Sequence, residues 1–456
     1  RVDAVVLASG HLDATPTTDE LDLAARAAEA GLRYLPPEQT TDTDLSVIAP
    51  GEPVLVRGLG LAFIDLIVLL YEGRGGRFEP GDDGLRYIPS GQEPYLLAGS
   101  PRGAPYHSKT HYQLRAGRPP LPRFFGPAQV DPMIAAGGPV DMMTQVWPLM
   151  AKEIAWGWYH ELFVGHPELV ALPWPEFAER FGALEWGPAL DALIAEAVPD
   201  PLDRLDLAAL DRPLDGVSAD SLEALQPLVR ARIAEDLRQH VDERHTPHLG
   251  AFVAMLSVYS ELGRMLGVLS PHSLAVDVGW WQGFFNGVAS GPPGFRVRQL
   301  LALARAGYVR FLGPGMRADI VDGVFRATSA AIPDAVTTRV LVDARLPDSS
   351  ASRSTDPLVA ALIREGAASE LVLRDEHGTV LRNTGQIRVR PADGALVDAA
   401  GRAHPRRFAV GPHTTVKVAG AFTRPGMNAQ SLRYNDAVAR AVLRSLAEVA
   451  RGARAA

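Results

Sequence analysis

The chain has 456 residues, 47% hydrophobic and 21% charged, enough for two or three domains and a sizeable buried core. Its 45 Lys+Arg against 53 Asp+Glu leave a net charge of −8, so no global basic field draws nucleic acid or an acidic membrane. The absence of cysteine excludes disulfides, Cys-ligated zinc, iron–sulfur centres and a dithiol flavin reductase. No apolar run reaches the roughly 18 residues of a membrane helix: Leu59–Tyr71 is broken by Asp65, and Ala251–Leu269 by Glu261 and Arg264. The chain opens at Arg1 directly in a strand, and no secretory leader is expected. The expectation is a cytoplasmic protein whose natural form carries a further N-terminal part ahead of Arg1.

The apolar run Ala4–Leu7 predicts a buried parallel strand ending in the turn Ala8-Ser9-Gly10-His11. After a Pro- and Thr-rich stretch with a short helix near Leu21–Gly31, Val54–Arg57 predicts a second buried strand. Gly58-Leu59-Gly60 and the apolar helix Leu61–Leu70 follow, the order that opens a dinucleotide-binding unit. Arg86–Ile88 and Pro94–Gly99 are expected to pair around Pro89-Ser90-Gly91, with Ser100 and Arg102 at the second strand's end. From Pro132 to Phe285 the pattern is mostly helical, with long amphipathic helices at Glu223–Val241 and His248–Leu269. Strands are predicted again at Val309–Leu312, Ile320–Ala327 and Thr338–Ala344. A Ser-rich loop at Pro347–Asp356 precedes Arg407–Val410, Val416–Val418 and a closing helix, Ser431–Ala450.

Gly58-x-Gly60 carries the clearest chemistry. Glycines between a strand and a helix let the backbone approach a pyrophosphate, whose charge the helix N-terminus stabilises. Ala62 stands near where the pattern's third glycine would fall. Ser100, Arg102 and Lys109 lie where a 2′-phosphate would be read, by a hydroxyl and a guanidinium fork, which favours NADPH over NADH. Near the C-terminus, the loop Gly420–Ala429 runs into a helix carrying Asn435-Asp436-Ala437, a turn able to place amides against a reduced flavin. His107 and His111, or His245 and His248, lack enough carboxylates at ligand spacing to propose a metal. Neither a GxSxG elbow nor a P-loop occurs.

Val54–Asp65, Gly84–Gly117 with Tyr106-His107-Ser108-Lys109, Ser290–Gly294, Val342–Pro347 and Gly420–Arg440 resemble the bacterial FAD/NAD(P)-binding flavoproteins related to class B flavin monooxygenases. Within that family the chain looks similar to the N-monooxygenases that convert aspartate to nitrosuccinate. The resemblance implies an α/β fold with two Rossmann-like dinucleotide-binding domains: an FAD domain interrupted by an inserted NADPH domain, with a mostly helical insertion. The expected boundaries are 1–50 for the end of the FAD domain and linker, 51–131 and 290–350 for the NADPH domain, 132–289 for the helical insertion, and 351–456 for the C-terminal part of the FAD domain. Gly10 and His11 would match the turn leaving the FAD domain. Gly411, Phe422, Met427, Asn428 and Ala429 would match the flavin-contacting turns; Gly58, Leu59, Gly60 and Ala62 would hold NADPH. The departure is that no GxGxxG for FAD precedes residue 1.

The implied reaction is reduction of FAD by NADPH, addition of O₂ at the flavin C4a, and transfer of the distal oxygen of that hydroperoxide to a neutral amine. Arg296 and Arg298 are candidate anchors for a substrate's carboxylates, with Asn286 and His107 as polar neighbours, and Trp280-Trp281 and Phe284-Phe285 as candidate pocket walls. Two rivals stay open. One is an NADPH oxidase or reductase that oxygenates no amine; the other is a noncatalytic nucleotide-binding protein docking through its helical block. The expected partners are a small amino acid and O₂, with no nucleic acid or membrane; a homo-oligomer is left open.

Overall fold

The computed structural model describes residues 2–81, 84–348, 350–416 and 429–455. The chain divides into two compact units. One comprises Arg1–Pro16, Leu262–Val276 and Pro347–Ala456; the other comprises Thr17–Glu261 and Asp277–Leu346.

The larger unit is built on five parallel strands: β1 (Arg33–Leu35), β2 (Pro53–Arg57), β3 (Tyr95–Gly99), β4 (Val309–Phe311) and β5 (Val340–Asp343). Their spatial order is β1-β5-β2-β3-β4, with Val340 beside both Arg33 and Val54, Val54 beside Leu96, and Leu96 beside Val309. Val54, Leu55 and Val56 are all fully buried, as expected for strands covered on both faces. Their alternation sorts the two faces. Val54, Val56, Leu96, Ala98, Val340 and Val342 share one core with Phe63, Ile64 and Leu66 of α2 (Leu61–Ile67). Leu55 and Leu341 share another with Leu23 and Ala27 of α1 (Thr18–Glu29) and with Phe325 and Ala327. The fold is an α/β arrangement compatible with Rossmann-like proteins.

Several boundaries differ from the sequence reading. Arg86–Ile88 does not pair with Pro94–Gly99. Gly84–Ile88 lies antiparallel to Arg77–Gly81, while β3 enters the parallel sheet between β2 and β4. The buried Glu93 carboxylate explains the break: it accepts the backbone N–H of Ser90 (2.6 Å) and Gly91 (2.8 Å) and the Tyr87 hydroxyl (2.8 Å). That redirects the chain instead of closing a hairpin. Ile320–Ala327 is two strands, Arg317–Val321 and Val324–Thr328, joined at Asp322-Gly323 with both φ angles positive, the Asp-Gly chemistry of a tight hairpin. The helix after Gly60 ends its α-helical part at Ile67 and continues as one π-helical segment, Val68–Glu72. Thr17–Pro50, expected as linker, supplies α1 and β1 to the larger unit.

The helical stretch includes α3 (Trp147–Gly165), α4 (Leu222–Gln239), α5 (Val278–Ala289) and α6 (Gly294–Arg305). α3 buries carboxylates that tie down loops: Glu153 accepts the N–H groups of Arg123, Phe124 and Phe125, and Glu161 those of Arg115 and Ala116.

In the smaller unit, strand Val5–Leu7 lies parallel to Ala403–Ala409, which also pairs antiparallel with Ala395–Val397. Leu7, Val359, Ile387, Leu396 and Ala409 form its core. Val416 stands outside any strand, and Lys417 and Val418 lie outside the described residues. No helix among the described residues is long and apolar enough to cross a membrane.

Candidate nucleotide site and a buried imidazolium–carboxylate pair

The carboxyl edge of the parallel sheet gathers polar groups between β2 and β5. Asp343, at the end of β5 with a fully buried side chain, accepts Arg57 Nε (2.5 Å) and Nη2 (2.6 Å) in a bidentate pair, and the Tyr34 hydroxyl at 2.7 Å. The chain then leaves β2 through Gly58, whose φ of +126° few other residues tolerate; a Cβ there would sit 2.6 Å from the Ala344 carbonyl oxygen. Gly60 caps α2 without a side-chain acceptor, so the first N–H groups of α2 are left for water or an anion. Leu59 is buried and Ala62 half-buried beside this turn. The Tyr106 ring packs on Gly60, 3.2–3.4 Å from where a Cβ would stand.

Tyr106 belongs to a strap, residues 100–112, that leaves β3 and is clamped along its length. Ser100 Oγ accepts the Gly103 N–H at 3.0 Å. Arg102 donates through Nε (2.9 Å) and Nη2 (2.6 Å) to Asp211 Oδ1 and is committed to that carboxylate. The backbone N–H groups of His107 and Lys109 donate to the carbonyls of Gly287 and Pro292, which brings His107 alongside the end of α5, the helix carrying Asn286.

His107 is buried between two acceptors. Nδ1 lies 2.5 Å from Asp236 Oδ1 on α4, and Nε2 lies 2.8 Å from the Leu210 carbonyl oxygen. A carbonyl only accepts, so Nε2 carries a proton; the short contact to a carboxylate holds the second on Nδ1. Burial opposes a charged ring, yet Asp236 and the Leu210 carbonyl outweigh it and raise the His107 pKa above its ordinary 6.5. Burial likewise works against the Asp236 carboxylate, but His107, His240 and the Ser108 N–H (2.9 Å) hold it far below the usual carboxylate range. His240, one turn along α4, donates Nδ1–H to the Asp236 carbonyl at 2.7 Å, and burial lowers its pKa. Among the described residues, His107, Asp236 and His240 are the one cluster whose composition could hold a metal. Its hydrogen bonding is that of an imidazolium–carboxylate pair. Sequence reasoning missed this trio because it considered histidine pairs; the available signal was Asp236 and His240 four apart on one helix face.

The remaining candidates are scattered. Arg296 on α6 pairs with Glu72 (2.6 Å) and Gln299 (2.7 Å), whereas Arg298 and Lys109 are exposed, with no ion pair among the described residues. Asn286 Oδ1 accepts Gln282 Nε2. Trp280 is half-buried and donates its indole N–H to Asp211 Oδ2, while Trp281, Phe284 and Phe285 are core. In the smaller unit His413 Nδ1 donates to the Gly10 carbonyl at 2.9 Å, and Gly411 accepts the N–H and hydroxyl of Thr414. His413 Nε2 is buried without a partner among the described residues. His11 is exposed, and Ala429 accepts the Arg433 N–H at the start of the closing helix, Gln430–Ala455. Phe422, Met427 and Asn428 lie outside the described residues.

A parallel sheet opening through a glycine turn into a helix defines this as an α/β protein compatible with Rossmann-like folds. No family model matches the chain. It is 35% identical over 98% of its length to an L-aspartate N-monooxygenase (nitrosuccinate-forming) of Streptomyces davaonensis, covering 70% of that protein. It is 35% identical over 97% to the protein of the same description from Streptomyces cremeus, covering 67% of it. A nitrosuccinic acid synthase of Aspergillus oryzae is 33% identical over 97% of the chain, with 68% of that protein covered. The chain belongs to this family of aspartate N-monooxygenases, enzymes of the monooxygenase class.

Proposed function

We propose that the protein oxygenates the amine of a small amino acid, aspartate first, using O₂, NADPH and FAD. The observation that carries this reading is 33–35% identity over nearly the whole chain to three proteins described as making nitrosuccinate or acting on L-aspartate. The larger unit is the NADPH side of the reading. Gly58, Leu59, Gly60 and Ala62 would meet the pyrophosphate at the N-terminus of α2, with Ser100 and Lys109 on the strap toward the 2′-phosphate, where Arg102 would have to be shared with Asp211. The smaller unit is the FAD side. Gly10, His11, Gly411 and Ala429 belong to it, and the buried, unpartnered Nε2 of His413 is an acceptor that a hydroxyl- or imide-bearing cofactor would satisfy. A bound flavin would supply O₂ activation, with NADPH as electron source.

The protein's own part is to bind, orient and dry. An amine must be neutral to accept oxygen, so water has to be excluded around it. Of the candidate carboxylate anchors, Arg298 keeps a guanidinium without an ion pair, while Arg296 would have to be shared with Glu72. Asn286 and His107 stand on adjoining segments as polar neighbours. Mass spectrometry of products formed from a panel of amino acids with NADPH and O₂ tests the reading. N-oxidised aspartate in step with NADPH consumption is the expected result. Hydrogen peroxide alone would make the protein an oxidase, and an N-oxidised product from a different amine would retain the oxygenation and replace the substrate.

A further inference from the structure

The helical part of the larger unit holds a cavity of about 750 Å³, within the size range of small-molecule sites. Its aromatic lining comes from Trp147 and Tyr159 of α3, from Trp186, and from Trp280 of α5. Trp147 and Trp280 meet edge to face, with centroids 4.9 Å apart and planes at 85°, so two indoles form a square corner. That corner is braced. The Trp280 N–H donates to Asp211 Oδ2 at 3.1 Å, and the other oxygen of Asp211 is held by Arg102. The ring is therefore set by a carboxylate that is itself set.

The charged lining consists of Asp191, Asp206, Asp211 and Asp215 against Arg204 and Arg212. Arg204 donates through Nε to the carbonyl of Val198 and through Nη2 to those of Pro199 and Ala195, so three of its five N–H donors are engaged. Asp191 and Asp215 are exposed, and their carboxylates accept no hydrogen bond among the described residues. A dicarboxylate or a polyphosphate entering here would meet an excess of like charge. An alkylated ammonium would meet the opposite charge of the exposed aspartates and the indoles of Trp147 and Trp280, the combination that recognises such cations.

We propose that this cavity is a binding site for a small organic cation, with no lining residue in common with the nucleotide glycines. The inference stands on the cavity alone and does not need the proposed oxygenation. The test is saturation-transfer NMR on the trimethylammonium signal of choline, with 3,3-dimethylbutan-1-ol as its uncharged isostere. Choline is expected to bind saturably, and the isostere about tenfold more weakly. Trp280→Ala should abolish binding. Because that change could disturb the Asp211–Arg102 brace, the surface double variant Asp191→Asn/Asp215→Asn carries the test independently and should weaken choline at least about threefold. Equal binding of the isostere, or choline binding untouched by both variants, overturns the proposal. Displacement of choline by aspartate also overturns it and makes the cavity the amino-acid site.

Discussion

Two buried carboxylates in the larger unit do the same structural job with different partners. Asp343, at the carboxyl edge of the parallel sheet, is held by the Arg57 fork and the Tyr34 hydroxyl. Asp236, on α4, is held by the His107 ring and the Ser108 N–H. Each ties a loop leaving a sheet strand to a neighbouring element, the Gly58 turn in one case and the Tyr106 strap in the other. Arginine keeps its proton at any pH a protein survives, so alkali leaves the sheet-edge pair intact. Histidine does not, so the strap is pinned by a bond that alkali can remove. The approach to Gly60 is thus framed by one clamp that alkali spares and one that it can remove.

The strongest way to break that contrast is Asp236→Ala, which strands the His107 ring between burial and one carbonyl. Urea unfolding should register a loss of about 3–5 kcal/mol, as for one partner removed from a buried pair. Next comes Gly58→Ala, which forces a Cβ onto the Ala344 carbonyl at an unfavourable φ and should cost about 3 kcal/mol. In the proposed reading it should also weaken NADPH in a direct titration. Asp343→Asn keeps the shape and the Tyr34 contact but unpairs the guanidinium, a loss of about 1–3 kcal/mol by denaturant melt.

The pH dependence sharpens the comparison. The His107 pKa is raised, so its contribution is complete below the unfolded value of 6.5 and fades as pH climbs through the folded value. The Asp236 pKa is lowered, so its contribution is present above the ordinary 3.8 and fades only in strong acid. The stability gap between wild type and Asp236→Asn should therefore shrink as pH climbs above 6.5 through the His107 titration, by up to about 1.4 kcal/mol per pH unit. The corresponding gap for Asp343→Asn should stay flat through that alkaline range; parallel shrinkage of the two would refute the distinction. At the small end, Arg298→Ala on the exposed face of α6 should alter stability by less than about 0.5 kcal/mol. If Arg298 anchors a substrate carboxylate, its effect should appear in the KM for aspartate.

The strand–glycine–helix order at Val54–Leu70 was legible because burial on both faces demands a continuous apolar run and the turn demands glycine. The helices near Glu223 and His248 were legible from their 3.6-residue period. The false pairing of Arg86–Ile88 with Pro94–Gly99 shows where local reading stops. Both segments suit strands and the turn residues suit a hairpin, but Glu93 folds back on the turn, and β3 gains more by entering the sheet between β2 and β4. Arg102 and Arg296 looked like free cations because pairing with Asp211 and Glu72 spans 109 and 224 positions of sequence. The indole corner of Trp147 and Trp280 was half visible, as a Trp pair at 280–281, without its orthogonal partner.

Residue order was enough to establish the α/β class and the glycine turn, because those depend on periodicity and short-range backbone chemistry; the likeness to the aspartate N-monooxygenases lay in the resemblance of whole segments. Which charges are spent, which ring is doubly protonated and where an aromatic corner opens depend on contacts between residues tens to hundreds of positions apart. Those followed only from packing, since burial changes the free energy of a charge according to the neighbour it finds.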